Sequence, residues 1–330
     1  MKTVVISVIM NRLKEAYLME NVRIVFFGTP DFSCSVLRTL HEEGYNVIAA
    51  VSQPDKPVGR KHIITPTPVH ALADELGIPV FQPVKLRAEA QQIIDLKPDL
   101  IVTAAYGQMV PESILNAPAK GCLNIHPSLL PKYRGGAPIQ RAVWNGDEKT
   151  GVCLMEMVKA MDAGKVFRCI ECEIGPDDTA SDMYEKLEEV SKRLIREALP
   201  EYLAGNLPGE EQDESQVVIA RNIAREEEQV FFGKENVSEA YNHIRALTDW
   251  PLAYGMIEGK RMKFIRVRKD ISETQAEAGT VLGFRDHAME IACTGGILRV
   301  LEMQMEGKNR MSADAFANGA GRALISKRFE

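Results

Sequence analysis

Residues 22–28, VRIVFFG, form a short apolar run that ends in glycine, and the next residues, Thr29-Pro30-Asp31, are typical of a helix start. The order of a strand followed by a helix is repeated along the chain. Further apolar runs lie at 47–52, 99–105 and 122–126, and a helix is predicted over 68–76. Strands that alternate with helices favour a mostly parallel, doubly wound sheet. In such sheets ligands bind beyond the carboxyl ends of the strands, so we expect any site of residues 22–200 there.

Nucleotide-binding fingerprints are missing from these strand ends. Gly28 stands alone after the first run, whereas a dinucleotide fingerprint needs several glycines, and no GxxxxGK[ST] sequence occurs. Dinucleotide and ATP chemistry are therefore disfavoured.

Composition describes an ordinary water-soluble chain. With 330 residues, 45% of them hydrophobic, the chain is long enough for two domains. Its net charge of -6 gives no overall tendency toward nucleic acid, so such a partner must meet local basic patches. No apolar run reaches 18 residues, so no membrane span is expected. The cysteines, scattered through a large chain, predict a cytoplasmic setting.

The six cysteines are scattered, which predicts reduced thiols. Cys169 and Cys172 have the spacing of a metal or redox pair, but no second pair exists. The surrounding run FRCIECEI alternates like a strand, so the structural interpretation is favoured.

Composition also divides the chain. Residues 1–20 contain the run VVISVIM without a small-residue cleavage site, and we predict an N-terminal extension outside the fold. Residues 205–224 are polar and acidic, as in a linker. Residues 225–330 hold one helix, SEAYNHIRAL, and short strands separated by turns, which predicts a small all-β barrel or sandwich.

Three polar side chains form a candidate catalytic group. Asn124 and His126 alternate on one strand, so they project from the same face. Asp162 follows the strand GVCLMEMV, and Ala163-Gly164 predicts a tight turn that returns its carboxylate to the same edge. A lone histidine here is more often structural. Together, however, an amide, an imidazole and a carboxylate suit acyl transfer to an amine that the substrate provides.

The run NIHPSLLPKYRGGAPIQ, followed about thirty residues later by GVCLMEMVKAMDAG, resembles the signature of the 10-formyltetrahydrofolate-dependent formyltransferase family. Further shared stretches are FFGTPDFS, QPDKPVGRK, TPTPVHALA, AAYGQMVP, ARNIAREEE, DWPLAY and EGKNRMSADAF. The resemblance implies a Rossmann-like catalytic domain (21–204), a linker (205–224) and an OB-like barrel (225–330). Lys165 departs from the family pattern, which more usually has an acidic or amide residue after MDAG.

The resemblance also implies the reaction. The insert and the C-terminal block resemble the members that formylate the α-amino group of charged initiator tRNA (methionyl-tRNA) for translation initiation. Two alternatives remain open: formylation of another amine, such as glycinamide ribotide or an amino-sugar nucleotide, and non-enzymatic RNA binding on an OB-like barrel. We expect a monomer that needs no metal.

Site residues carry over position by position. Asn124, His126 and Asp162 match the catalytic trio. The folate-contacting positions are Ser128, Leu129, Leu130 and Pro131, with Ala105, Tyr106, Gly107 and Gln108 beside the pterin. Arg60 and Lys61, in the long loop 53–68, match the part of the insert that reaches tRNA, although such a loop can also be a simple surface excursion.

The stretch KRMKFIRVRK (260–269) has six basic residues and no acidic one. The resemblance places this domain along the tRNA, so Lys260, Arg261 and Lys263 are predicted to contact its phosphates. A solvated strand surface is the alternative.

Overall fold

The structure is a computed structural model that describes residues 21–59 and 62–330. These residues form two compact units. The first contains the described residues up to Gly136 together with Thr150–Cys172 and Glu185–Ile219, and the second contains Ala137–Lys149, Glu173–Tyr184 and Ala220–Glu330. The predicted extension 1–20 and two predicted tRNA contacts, Arg60 and Lys61, lie outside the described residues.

Among the described residues, the strands before residue 180 are β1 (Ile24–Gly28), β2 (Val47–Val51), β3 (Lys56–Val58), β4 (Ile63–Thr65), β5 (Val80–Phe81), β6 (Leu100–Ala104), β7 (Cys122–His126), β8 (Arg134–Gly135), β9 (Lys149–Glu156) and β10 (Val166–Glu173). The helices up to residue 203 are α1 (Asp31–Glu42), α2 (Pro68–Glu75), α3 (Ala90–Ile94), α4 (Glu112–Leu115), α5 (Pro138–Trp144) and α6 (Ala180–Leu203). The predicted runs form β1, β2, β6 and β7, and the predicted helix forms α2.

The central sheet of the first unit has the strand order β10-β9-β7-β6-β1-β2-β5. Neighbours from β5 to β7 run parallel, and β9 lies antiparallel to β7. The prediction of a mostly parallel sheet is therefore confirmed. From β1 the chain first builds outward through β2 and β5, and then returns to the other side of β1 with β6. The strand order thus reverses between β1 and β6, the place where α/β sheets bind ligands.

Local sequence explains these elements. All five residues of β1 are buried, as expected for a parallel strand covered on both faces. Helix α1 buries Phe32, Val36, Leu37 and Leu40, while α2 begins after Thr67, whose hydroxyl accepts a hydrogen bond from the His70 amide.

One cysteine pair differs from the prediction. Cys153 on β9 and Cys169 on the neighbouring β10 are joined by a disulfide, so the prediction of reduced thiols is wrong for this pair. The two residues are 16 positions apart, and the register of two strands brings them together. Cys169-Ile-Glu-Cys172 lies within β10, as its alternation predicts.

The loop 53–68 contains a hairpin, β3–β4, with Val58 opposite Ile63. Both side chains are exposed, as is Ile64. Asp55, directly before β3, accepts hydrogen bonds from the Thr67 backbone amide and the His70 ring. The carboxylate therefore ties together the two ends of the insert.

Strand β11 (Ile219–Ala220) follows α6. The second unit contains α7 (Val237–Ala246), β12 (Tyr254–Ile257), β13 (Lys260–Asp270), β14 (Val281–Arg285), β15 (Ala288–Cys293), β16 (Gly296–Met305), β17 (Met311–Ser312) and α8 (Ala313–Ala317). The main sheet has the order β12-β13-β16-β15-β14 and its pairs are antiparallel, with β17 on β16. This separate antiparallel sheet confirms the predicted β-rich second part. Phe232, Phe264 and Phe329 pack together in its core, with ring centroids 5.3–5.9 Å apart.

Residues 326–330 connect the two edges of this sheet. At β14, Val281 and Ser326–Lys327 exchange backbone hydrogen bonds, and the Phe329 amide donates to Gly279. At β12, the Glu330 amide donates to Met256, and Phe329 forms a bridge with Ile257. We name this segment, residues 326–330, the seam. The side chain of Phe329 within it is buried. Both edge strands therefore have a backbone partner.

Within residues 21–59 and 62–330, no helix combines the length and the apolar character that a bilayer crossing requires.

Candidate active site

Asn124 lies near the carboxyl end of β7, in register with Thr103 on β6. The Thr103 hydroxyl lies 2.9 Å from Asn124 Oδ1, nearer than to its other acceptors, the Leu123 carbonyl oxygen and Met157 Sδ, each at 3.1 Å. Because the carbonyl end of the amide is held in this way, the Nδ2 hydrogens remain to act as donors. The neighbouring strand thus sets the orientation of this amide.

His126 ends β7 and is buried, with 3% of its surface exposed. Its Nε2 lies 3.0 Å from the carbonyl oxygen of Tyr133. A carbonyl oxygen can only accept, so Nε2 carries a hydrogen and Nδ1 is the nitrogen left for chemistry. Tyr133 itself has a left-handed backbone, with φ of 64°.

Asp162 lies in the predicted turn and also has a left-handed backbone, with φ of 52°. Its Oδ2 accepts a hydrogen bond of 2.8 Å from the Gly135 amide. The same oxygen lies 3.8 Å from His126 Nδ1, which is an ion-pair distance, too long for a direct hydrogen bond. The carboxylate therefore places negative charge beside the imidazole, while the Tyr133 carbonyl fixes the orientation of the ring.

The structure thus brings the three predicted polar groups together at one edge of the sheet. Four residues that support them were absent from the prediction: Thr103, Tyr133, Gly135 and Gln212, whose amide bonds the Asp162 carbonyl. Thr103 could have been found from the β6–β7 register. Tyr133 and Gly135 act through backbone atoms, and only the turn residues of KYRGG hinted at them.

The predicted folate segment after β6 turns sharply, because Ala105 and Gly107 have φ of 45° and 90°. Tyr106 is buried edge-on against Phe27, and burial raises the pKa of its hydroxyl to about 12. That hydroxyl has no hydrogen-bond partner among the described residues. The Gln108 amide is engaged with Leu86, Pro83 and Gln53, so it braces the turn.

The second predicted folate segment follows β7. The Ser128 hydroxyl is buried and donates to the Lys132 carbonyl, so it stabilises the loop itself. Leu129, Leu130 and Pro131 are each half-buried. These three apolar residues follow His126 closely in the chain and are partly open to solvent.

The predicted tRNA-contacting residues lie on β13 in the second unit. Arg261 and Lys263 line a cleft of about 640 Å³ together with Arg225, Gln304 and Glu306. The Arg261 guanidinium stacks over the Tyr254 ring at 4.0 Å. Lys260 is exposed at the start of the strand and does not line this cleft. Arg225 is a further cation here that the prediction left out.

Known proteins resemble most of the chain. Residues 22–199 match the formyl transferase family, and residues 222–321 match the formyl transferase C-terminal domain. The methionyl-tRNA formyltransferase of Bacillus cytotoxicus is 44% identical over 303 residues, which cover 91% of this chain and 96% of that protein. The methionyl-tRNA formyltransferase of Bacillus velezensis is 45% identical over 300 residues, covering 90% and 94%.

A solved structure is similar to this chain in its fold. The crystal structure of HypX from Aquifex aeolicus in complex with tetrahydrofolic acid has a TM-score of 0.64 at 19% identity, covering 92% of this chain and 48% of that one. At this identity the likeness concerns the fold alone. The family and sequence matches show more: the chain belongs to the formyl transferase family. Within that family, the relatives at 44% and 45% identity are named methionyl-tRNA formyltransferase.

A substitution at Gly164 tests whether formyl transfer depends on the turn that contains Asp162, Ala163 and Gly164, which we call the Asp162 turn. A Cβ atom at this position would lie 2.1 Å from the Glu156 carbonyl oxygen, so Gly164→Ala must displace the turn. We expect kcat for formyl transfer to fall about 10- to 100-fold, because a displacement of about 1 Å can have this effect. Steady-state kinetics would check this. Gly233→Ala, which has open space at its Cβ position and, like Gly164, no positive φ, is the matched control and should keep kcat. Unchanged kcat in Gly164→Ala would contradict the role of the turn.

Proposed function

We propose that this chain transfers the formyl group of 10-formyltetrahydrofolate to the α-amino group of methionyl initiator tRNA, giving formylmethionyl-tRNA for translation initiation. The observation that carries the proposal is the position of Asn124, His126 and Asp162 together at the carboxyl edge of the sheet. The similarity to methionyl-tRNA formyltransferases over 91% of the chain supports the choice of substrate.

The α-amino group of the methionyl-tRNA is the nucleophile. An α-amino group has a pKa of about 7.7–8.0, so part of it is neutral near physiological pH and able to attack. As the amine adds to the formyl carbon, negative charge develops on the formyl oxygen. Asn124 Nδ2 and protonated His126 Nδ1 donate hydrogen bonds to that oxygen. The amine then loses a proton, and the departing N10 of the folate takes one when its bond to the formyl carbon breaks.

Asp162 places a negative charge beside His126. Its Oδ2 is fixed by the Gly135 amide and lies 3.8 Å from Nδ1, so it faces the imidazole without a direct hydrogen bond that would occupy Nδ1. Water that bonds the carboxylate can carry protons to and from the reacting atoms. Neither a metal nor a covalent enzyme intermediate takes part.

10-formyltetrahydrofolate, as co-substrate, supplies the formyl group. The segments after β6 (105–108) and after β7 (128–131) suit the pterin of the folate, which is a flat ring with polar groups at its rim. Leu129, Leu130 and Pro131 are apolar and partly exposed, and the buried Tyr106 hydroxyl has no hydrogen-bond partner in the part of the chain that the structure describes. We assign Ser128 and Gln108 to holding these segments in shape, because their side chains are already bonded within the protein.

The tRNA is bound through phosphate contacts on the second unit and through the insert. Lys260, Arg261 and Lys263 provide positive charge on β13, and Arg60 and Lys61 provide it at the insert. We further propose that the first unit is a Rossmann-like domain and that the second is an OB-like barrel, closed by residues 326–330. The protein acts as a cytoplasmic monomer.

A competition assay tests the proposed function. The chain is incubated with 10-formyltetrahydrofolate and, in separate reactions, charged initiator tRNA, glycinamide ribotide or an amino-sugar nucleotide. We expect formylation of the methionyl-tRNA alone. Efficient formylation of a small amine instead would overturn the substrate assignment. Tight RNA binding without formylation of any of the three would overturn the reaction.

Neutralising Lys260, Arg261 and Lys263 together, each to alanine, should raise KM for the tRNA more than it lowers kcat. Phosphate contacts add affinity in proportion to the counterions they release, so each lost contact should reduce the salt slope by about 0.7–0.9. The measurement is KM at several salt concentrations. Removing Lys192, Arg193 and Arg196 from α6, where each lies in an ion pair, controls for net charge. An equal effect in both triple variants would exclude a local binding surface.

A further inference from the structure

Residues 209–216, which we name the strap, run beside the strand that follows the Asp162 turn. Glu210 and Val166 exchange two backbone hydrogen bonds, each of 2.9 Å. Lys165 forms an ion pair of 3.6 Å with Glu211. The sequence of this segment indicates a linker, yet the strap is bonded to the first unit.

The centre of the strap is the side chain of Gln212. Its Nε2 donates 2.8 Å and 2.7 Å hydrogen bonds to the carbonyl oxygens of Asp162 and Gly164. Its Oε1 accepts a 2.9 Å bond from Arg134 Nε. Both hydrogens and the oxygen of the amide are thus used, and one side chain holds both ends of the turn.

Arg134 is in turn held firmly. It is buried, with 6% of its surface exposed. Its guanidinium bonds both carboxylate oxygens of Glu214, at 2.8 and 3.3 Å, and this bond lowers the pKa of Glu214. Its backbone amide donates to Val218. The next residue, Gly135, holds the Asp162 carboxylate.

Two neighbouring residues of β8 therefore hold the Asp162 turn in place through hydrogen bonds. Gly135 bonds the carboxylate directly, and Arg134 bonds Gln212, which bonds the backbone of the turn. Such support is needed because a left-handed backbone at a residue other than glycine costs of order 1 kcal/mol. The flanking residues Lys159, Ala160 and Met161 are exposed and offer little packing.

We infer that Gln212 is a positioning residue for formyl transfer: by clamping the Asp162 turn to Arg134, it sets the distance between the Asp162 carboxylate and His126 Nδ1. The inference rests on the proposed function. Gln212 acts through Asp162 and donates to no reacting atom, since its own polar atoms are occupied. The strap thus makes a segment far along the chain a part of the active-site support.

The test is Gln212→Met, which keeps the length of the side chain and removes its hydrogen bonds. We expect kcat to fall about 10- to 100-fold, as for a displaced catalytic group, with KM for both substrates unchanged. Gln216→Met is the matched control. Gln216 lies in the same strap and its amide bonds the nearby Asp213, so we expect the wild-type rate. All rates are taken well below the melting temperature of each variant.

A double-mutant cycle separates positioning from general weakening. If Gln212 acts through Asp162, then Gln212→Met should lower kcat little further once Asp162→Asn is present. Independent multiplication of the two effects would overturn the inference, as would a wild-type kcat in Gln212→Met.

A measurement without substrate keeps this inference distinct from the proposed function. The imidazole ¹⁵N chemical shifts of His126 should move in Gln212→Met in the direction that they move in Asp162→Asn, and should stay constant in Gln216→Met. An inactive wild type would end the proposed function while these shifts still decide the positioning. Unmoved shifts in Gln212→Met would overturn the inference even if the wild type is fully active.

Discussion

His126→Ala should lower kcat for formyl transfer by about 100- to 1,000-fold, the usual effect of removing a donor to a developing oxyanion. The Nδ1 atom is the only imidazole nitrogen left for this task, because Nε2 is held by the Tyr133 carbonyl. Folate binding should change little, because the bond from Nδ1 forms to an oxyanion that develops only in the transition state. Single-turnover rates and folate titrations measure the two effects separately.

The matched control is His41→Ala, which removes an exposed imidazole from the end of α1. Its turnover should equal that of the wild type. Near-normal turnover in His126→Ala would remove His126 from the mechanism. A loss of folate binding equal to the loss of rate would instead assign it to co-substrate binding.

Asp162→Asn should lower kcat by about 100-fold or more, because it removes the negative charge that supports the imidazolium. The amide keeps the size of the side chain and an oxygen that can accept the bond from Gly135, so the turn should remain in place.

Single-turnover kinetics again give the measurement, together with the melting temperature to show that the fold is intact. Asp95→Asn, an exposed carboxylate that accepts a bond from Gln91, is the control and should be neutral. A fall in kcat of less than about threefold in Asp162→Asn, worth under 1 kcal/mol, would mean that the charge of Asp162 is not used.

The sequence predicted the parts of this molecule that depend on local patterns. Alternation on a strand put Asn124 and His126 on one face, and the turn signal of Ala163-Gly164 returned Asp162 to them. Short apolar runs between helices were enough for the mostly parallel sheet. The resemblance to formyltransferases then supplied the chemistry, which spacing alone left open.

Features that depend on distant packing could not be predicted in this way. The Tyr133 carbonyl holds His126 through a backbone atom that every residue possesses. Gln212 lies in an acidic stretch without apolar periodicity, so its role appears only when the strap is seen beside Val166. Cys153 and Cys169 meet through strand register. Helix α5 belongs to the second unit, where Trp144 stacks on His243 with ring centroids 3.9 Å apart.

The seam formed by residues 326–330 has a consequence for how the protein is made. Until these residues leave the ribosome, β14 has an open sheet edge and β12 is paired on its outer side only at Tyr254, with Gln229 and Val230. Open strand edges can pair with a strand of another chain. Phe329 must also be absent from the aromatic core during that time. The growing chain is therefore expected to be more prone to aggregation before residues 326–330 emerge than after they have paired with both edges.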